Sequence, residues 1–248
     1  MATEGDPGPA RPAFYAMAPG GWRDWWTLLH PPYTLWHLSY VVIGASLAPD
    51  VQMRWLGETL LAFFLAMGLA AHALDELHGR PLGTRIPSAA LVAVAVAGLA
   101  GAVALGIDGM VEVSPWLGVF IVAGAFLVVA YNLELFGGAF HSDLWFALAW
   151  GAFPVLTAAF AQTADVGAAA VVAAAACALL SAAQRALSTP VRDLRRRVAE
   201  VHGSMVDRDG GSRPIDAGTL RDAPERALRL LSVAVPLLAL AMLAAKQL

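Results

Sequence analysis

Residues 88–107 read SAALVAVAVAGLAGAVALGI, twenty positions without a charged side chain. A helix rises about 1.5 Å per residue, so this stretch matches the roughly 30 Å hydrocarbon core of a bilayer. Working outward, six further apolar segments appear at Tyr33–Leu47, Leu56–Leu77, Trp116–Leu133, Leu144–Phe160, Val166–Leu187 and Arg226–Ala245. The whole chain has 248 residues, of which 58% are hydrophobic and 14% charged. A soluble domain keeps about 25% charged residues to wet its surface. Helices satisfy their own backbone hydrogen bonds in lipid, so the pattern predicts an all-α polytopic transmembrane bundle of about seven spans.

Details of these segments carry further expectations. The first is short and holds Trp36, His37, Ser39 and Tyr40, with His37 and Tyr40 read as packing residues. In the third, Ala93, Ala97 and Gly101 recur at four-residue spacing, the pattern of close helix contact in membranes. The sixth is so rich in alanine that it suits the inside of a bundle. Ahead of the first span, Trp22, Trp25, Trp26 and Leu29 fall on one side of a short helix, 22–30, of the kind that lies in a membrane interface. Residues 1–20, rich in Pro, Gly and Ala, are expected to be a disordered tail rather than a signal peptide. Residues 21–248 then form one transmembrane domain with a long loop at 188–225.

Charge placement orients the bundle. Of 16 basic residues, 15 are Arg and one is Lys246. With the N-terminus inside, Arg11, Arg23, Arg80, Arg85 and every arginine from Arg185 to Arg229 fall on one side, leaving Arg54 and Lys246 on the other. The positive-inside rule places the arginine-rich side in the cytoplasm and the C-terminus outside. Arginine clusters that border the membrane argue against nucleic acid as a partner and for anionic lipid headgroups. The single cysteine, Cys177, excludes an intrachain disulfide and a cysteine-based metal cluster.

Three clusters on that side carry candidate chemistry. In His72-Ala-Leu-Asp75-Glu76-Leu-His78-Gly79-Arg80, the histidine is followed by carboxylates at i+3 and i+4, which a helix brings to one face. One imidazole and two carboxylates suit a divalent cation such as Mg²⁺, and Arg80 and Arg85 follow as anion binders. The alternative is a solvated helix end. The second cluster is Tyr131-Asn132-Leu-Glu134, then His141-Ser142-Asp143. Here Glu134, His141 and Asp143 could add metal ligands or a base, or Ser142 or Asp143 could simply cap the next helix. The third runs from Gln184 and Arg185 through Arg192 and Asp193 to Arg195–Arg197, the last three read as a topology signal and lipid-headgroup contact.

These stretches resemble the UbiA superfamily of intramembrane prenyltransferases. Leu29-His30-Pro31-Pro32 followed by Gly44-Ala45-Ser46-Leu47-Ala48 is similar to the family's opening. His72 to Ile86 is similar to its first aspartate-rich motif, which runs into Arg-Pro-Leu. Tyr131-Asn132 with Leu144–Leu156 is similar to the region of its fifth helix, and Arg192-Asp193 sits where the second aspartate motif begins. The resemblance covers roughly Trp22 to Asp193. It implies a helical bundle around a lipid-open cavity that binds an isoprenyl diphosphate or related prenyl lipid through Mg²⁺. Asp75 and Glu76 would be catalytic, and His72, Asp75, Glu76 and Asp193 would be the metal ligands. Arg80, Arg185, Arg192, Tyr131 and Asn132 would bind substrate. The chain departs from the family in a shortened first motif, a second motif that is mostly arginine, and fewer spans.

The sequence leaves three readings open. The first is a UbiA-like enzyme that transfers or cyclises a prenyl chain. The second is a non-catalytic isoprenoid- or pigment-binding membrane protein. The third is a metal enzyme combining His72, Asp75 and Glu76 with Glu134, His141 and Asp143. Relative to the family, the missing spans would leave a flank that a second copy could cover.

Overall fold

The computed structural model describes residues 11–246. Helix α1, Trp22–Leu28, precedes α2, Pro31–Ala45. Helices α3, Met53–Leu77, and α4, Ser88–Glu112, form the next pair, followed by α5, Leu117–Asn132. Helices α6, Asp143–Thr163, and α7, Ala168–Arg196, come next. A two-stranded antiparallel hairpin, β1 Gly203–Val206 and β2 Ser212–Ile215, leads into α8, Ala217–Ala244. Five of these helices, α3, α4, α6, α7 and α8, are long and apolar enough to cross a membrane. Helices α2 and α5 are shorter, at 15 and 16 residues.

The core forms around α2. Trp36, Tyr40 and Ile43 on α2 pack with Val155 on α6, Ala174, Cys177 and Val191 on α7, and Leu228 and Val235 on α8. Trp36 is fully buried and its indole N–H donates to the Tyr40 hydroxyl at 2.5 Å, which satisfies a polar atom that lipid could not. Backbones approach closely where side chains vanish. A Cβ on Gly44 would collide with the carbonyl of Val155, so α2 and α6 meet there without a side chain between them.

Several expectations change. The packed stripe of α4 is Leu91, Ala95 and Gly98, whereas Ala93 and Ala97 are exposed. In an alanine-rich helix, small residues recur every fourth position on more than one face, so spacing alone does not choose the face. Helix α7 buries a single stripe, Ala170, Ala174, Cys177, Ser181, Gln184, Ser188 and Val191, and exposes Val171, Val172 and Leu179. It therefore lies at the bundle surface rather than inside it.

The long loop expected at 188–225 shrinks to the connection between α7 and α8. Hydropathy stops at the edge of the apolar run, but both helices continue as charged, amphipathic extensions. A capping box starts α8: the Asp216 carboxylate accepts from the Thr219 amide at 2.7 Å, and the Thr219 hydroxyl accepts from the Asp216 amide at 3.3 Å. Glu225 then accepts from Arg195 at 2.6 Å and from Arg229 at 2.7 Å, clamping the two extensions together.

The tail expected at 1–20 divides. Residues 1–10 lie outside the described residues, but residues 11–20 pack onto the bundle as an arm. Ala13 and Ala16 are buried, and Phe14 sits beneath the guanidinium of Arg229. In α1 the three tryptophans face outward, while Asp24, Thr27 and Leu28 face the protein.

Candidate functional site

A cavity of about 820 Å³ opens at the arginine-rich end of the bundle. Its walls come from the arm, α2, the end of α3, the α5–α6 connection and the last turns of α7. Five of the six histidines in the chain, His30, His37, His72, His78 and His141, line it. So do three of the four tyrosines, Tyr15, Tyr33 and Tyr131. Arg185, Arg192, Arg196 and Arg197 bring positive charge to the α7 wall.

Local structure aims these side chains. On α7, Arg185, Thr189, Arg192 and Arg196 follow i, i+4, i+7, i+11, one stripe of a 3.6-residue helix. His30, Tyr33 and His37 follow i, i+3, i+7 at the start of α2. His30 takes the left-handed conformation at φ 47°, and Pro31 begins the helix behind it. Two π-helical stretches flank the cavity: Phe64–Ala71 ends immediately before His72, and Leu148–Ala152 carries Trp150. Such widened turns re-aim the residues beyond them and recur at functional sites.

Of the residues that the three clusters and the resemblance single out, His72, Asp75, Tyr131, Asn132, Glu134, His141, Arg185, Arg192 and Asp193 reach this cavity, as do His78 and Gln184. Tyr131 links several of them. Its ring stacks on His141 at 4.5 Å, and its hydroxyl accepts from Arg185 at 2.7 Å. His141 Nδ1 also lies 3.1 Å from the Tyr131 carbonyl and 3.9 Å from Glu134. Arg185 donates to Asp143 at 2.5 Å and passes over the Phe146 ring. Asp143 itself is 82% exposed, at the rim. His37 shares a hydrogen bond of 2.9 Å with Gln184 on α7, so it is a cavity residue as well as a packing residue. Tyr40 is fully buried in the core.

The other residues go elsewhere. Glu76 does not share the face of His72 and Asp75. Its carboxylate is fully buried and accepts from the Leu82 amide, the Thr84 amide and the Thr84 hydroxyl at 2.8–2.9 Å. Arg80 donates to the Ile86 carbonyl at 2.6 Å and the Ser88 hydroxyl at 2.7 Å, pinning the α3–α4 connection. The Arg85 amide donates to Asp24. The donor set therefore does not fit a divalent cation held by a preformed Asp75–Glu76 pair, because both Glu76 oxygens already serve the loop. Among the described residues no three His, Cys, Asp or Glu side chains are grouped to hold a metal ion.

Tyr15, His30, Tyr33 and Arg196 line the cavity as well, although none of the sequence clusters marks them as site residues. The α7 stripe was readable from its spacing. Adjacent arginines part company there: Arg195 turns to Glu225, while Arg196 turns to the cavity and donates to the Pro12 carbonyl at 3.3 Å. Tyr15 and His30 meet through the arm, which no local pattern signals. The Tyr15 hydroxyl lies 2.9 Å from His30 Nδ1, and His30 stacks on His72 with centroids 4.3 Å apart. Burial, with His72 and the nearby arginines adding to it, holds His30 well below the usual imidazole range, so the ring is neutral. Burial likewise raises the Tyr15 hydroxyl and keeps it protonated.

A second, apolar groove of about 140 Å³ lies between α3, α4, α5 and α6. Trp55, Phe63, Met67, Gly106, Gly124 and Phe153 are among its walls. Trp150 lines both this groove and the polar cavity. The arrangement offers charge and hydrogen-bond donors on one side of Trp150 and hydrocarbon on the other. Comparison of the chain with known protein families, with curated proteins and with solved structures gave no match.

Proposed function

We propose that the protein handles an isoprenyl diphosphate or a closely related anionic prenyl lipid at the membrane interface. The headgroup would occupy the arginine-lined cavity and the chain would run past Trp150 into the apolar groove. The observation that carries this reading is Trp150, which lines both the cationic cavity and the apolar groove. Guanidinium groups suit phosphate oxygens because they donate in a planar fork and stay charged. The resemblance of the sequence to UbiA enzymes suggests the chemistry after binding: the C–O bond to diphosphate breaks, with the charge of the leaving group stabilised by Arg185, Arg192 and Arg196, and the allylic cation is captured by an acceptor nucleophile or by a double bond of its own chain, with loss of a proton. These arginines would neutralise the charge that builds on the departing diphosphate.

The same reading extends to topology. Helices α2 and α5 would cross with their longer neighbours, giving seven spans. The arginine-rich end would then face the cytoplasm. A bundle of this size could pair with a second copy along α4, whose apolar surface is largely exposed.

One feature favours a binder that does not turn its ligand over: Glu76, the second carboxylate of the first motif, serves a loop. A single experiment separates the two. Purified protein in nanodiscs is incubated with radiolabelled geranylgeranyl diphosphate, and bound label and released diphosphate are both measured. Saturable binding with release supports the enzyme, and binding without release supports the carrier. Absence of saturable binding would overturn both.

A further inference from the structure

No motif or resemblance assigns a role to the arm of residues 11–17, yet it forms part of the cavity wall. The arm is tied down along its length. Arg195 donates to the Arg11 carbonyl at 3.2 Å, Trp26 donates to the Tyr15 carbonyl at 3.3 Å, and the Met17 amide donates to the Thr27 hydroxyl at 3.1 Å. This bonding positions Tyr15 against His30. His30 then poses a problem. Its Nδ1 is engaged by Tyr15, but its Nε2 is buried and has no hydrogen-bond partner, although the ring lines the cavity. Buried polar atoms in folded proteins are almost always paired, so an unpaired one at a cavity wall points to a partner that arrives with a ligand.

We propose that Tyr15 and His30 belong to the anion site: the Tyr15 hydroxyl donates to His30 Nδ1, which keeps the ring proton on Nε2, and Nε2–H donates to a phosphate oxygen of the headgroup. This rests on the function proposed for the cavity. A neutral imidazole has one donor and one acceptor nitrogen, and the partner of one nitrogen decides the role of the other. Arg192 and Arg196 supply the positive charge in the same cavity, so His30 adds direction rather than charge. The Pro12 carbonyl, which accepts from Arg196 Nε, orients that guanidinium from the same arm. His30 contacts the ligand, whereas Tyr15 acts through His30 and is a positioning residue.

The test uses the full chain in nanodiscs. Equilibrium binding of tritiated farnesyl diphosphate, and its competition by inorganic pyrophosphate, are measured for wild type and three variants. Tyr15→Phe removes one hydroxyl and is expected to weaken both probes about 5–10-fold, the scale of one net hydrogen bond. His30→Leu is expected to weaken both by more than about 10-fold, the scale of a lost bond to a charged group. His30→Gln, which offers an amide N–H near the Nε2 position, is expected to restore binding to within about 3-fold. Nitrogen-15 shifts of the His30 ring should report the Nε2–H form in wild type and a mixture in Tyr15→Phe. Melting temperatures identify any variant that fails to fold, and Tyr15→Phe is the mildest. If wild type binds and all variants bind equally, the inference is wrong and the proposed function stands. If farnesyl diphosphate weakens while pyrophosphate does not, the contact is with the chain and the inference is again wrong. If wild type binds neither probe, the proposed function falls and takes the inference with it.

Discussion

Glu76 and Thr84 are bound twice over: the same carboxylate oxygen accepts from the Thr84 amide and from the Thr84 hydroxyl, each at 2.8 Å. The other oxygen takes the Leu82 amide at 2.9 Å. This turns the α3–α4 connection back onto the bundle and gives adjacent carboxylates separate tasks, since Asp75 faces the cavity. Glu76→Ala would leave two amides and a hydroxyl buried without partners. The expected cost is about 2–4 kcal/mol of stability, read as a lower melting temperature in detergent. Asp75→Asn should leave the melting temperature nearly unchanged and act on ligand binding. A stable Glu76→Ala protein with altered binding alone would reverse these assignments.

Arg185 is held between the Tyr131 hydroxyl and the exposed Asp143. An exposed partner contributes little to stability, about 0–1 kcal/mol, but it neutralises a guanidinium that lines the cavity. Asp143→Asn is therefore expected to tighten pyrophosphate binding about 2–5-fold, while Arg185→Ala loosens it by more than about 10-fold, with the effect fading at high salt. Titration of both variants with pyrophosphate at two ionic strengths checks the signs. Weaker binding in Asp143→Asn would show that the aspartate orients Arg185 rather than competing with the ligand.

How far the sequence could be read depended on which forces it records. Hydropathy records transfer into lipid, and each apolar segment overlaps a helix, with Ser88–Ile107 lying inside Ser88–Glu112. It does not record the charged extensions of α7 and α8, which are held by the Glu225 clamp and the Asp216 cap. The cavity side of α7 was legible as a stripe of polar residues. The face of His72, Asp75 and Glu76 was not, because the loop amides of Leu82 and Thr84 compete for Glu76. The meeting of Tyr15 with His30 depends on how the arm docks, which no periodicity encodes.

Gly124 offers a way to close the groove while leaving the cavity intact. It lies on α5, and a Cβ there would stand 3.1 Å from the Phe153 ring on the facing helix. Gly124→Leu would place a branched side chain in the groove of about 140 Å³. Overpacking of this kind costs about 1–3 kcal/mol, which a membrane bundle can accommodate by a shift of Phe153. The expected result is loss of farnesyl and geranylgeranyl diphosphate binding with pyrophosphate binding unchanged. Equal loss of all three would place the chain somewhere other than this groove.

His30 gives the protein a pH dependence whose sign can be worked out. Burial lowers its folded value below the ordinary imidazole value of about 6.5, so the unfolded chain binds the proton more readily than the folded one. Its contribution to stability is therefore fully present above about pH 6.5 and is lost as pH falls below that value toward the folded one, at up to about 1.4 kcal/mol per pH unit. The melting temperature of wild type should fall on acidification from pH 7 to pH 5. His30→Gln, which cannot take up the proton, should show a shallower fall over the same range. The comparison isolates His30 because the other cavity histidines are common to both proteins. Identical pH profiles would mean that the ring is not neutral in the folded state, and Tyr15 would then accept a hydrogen bond from Nδ1–H rather than donate one.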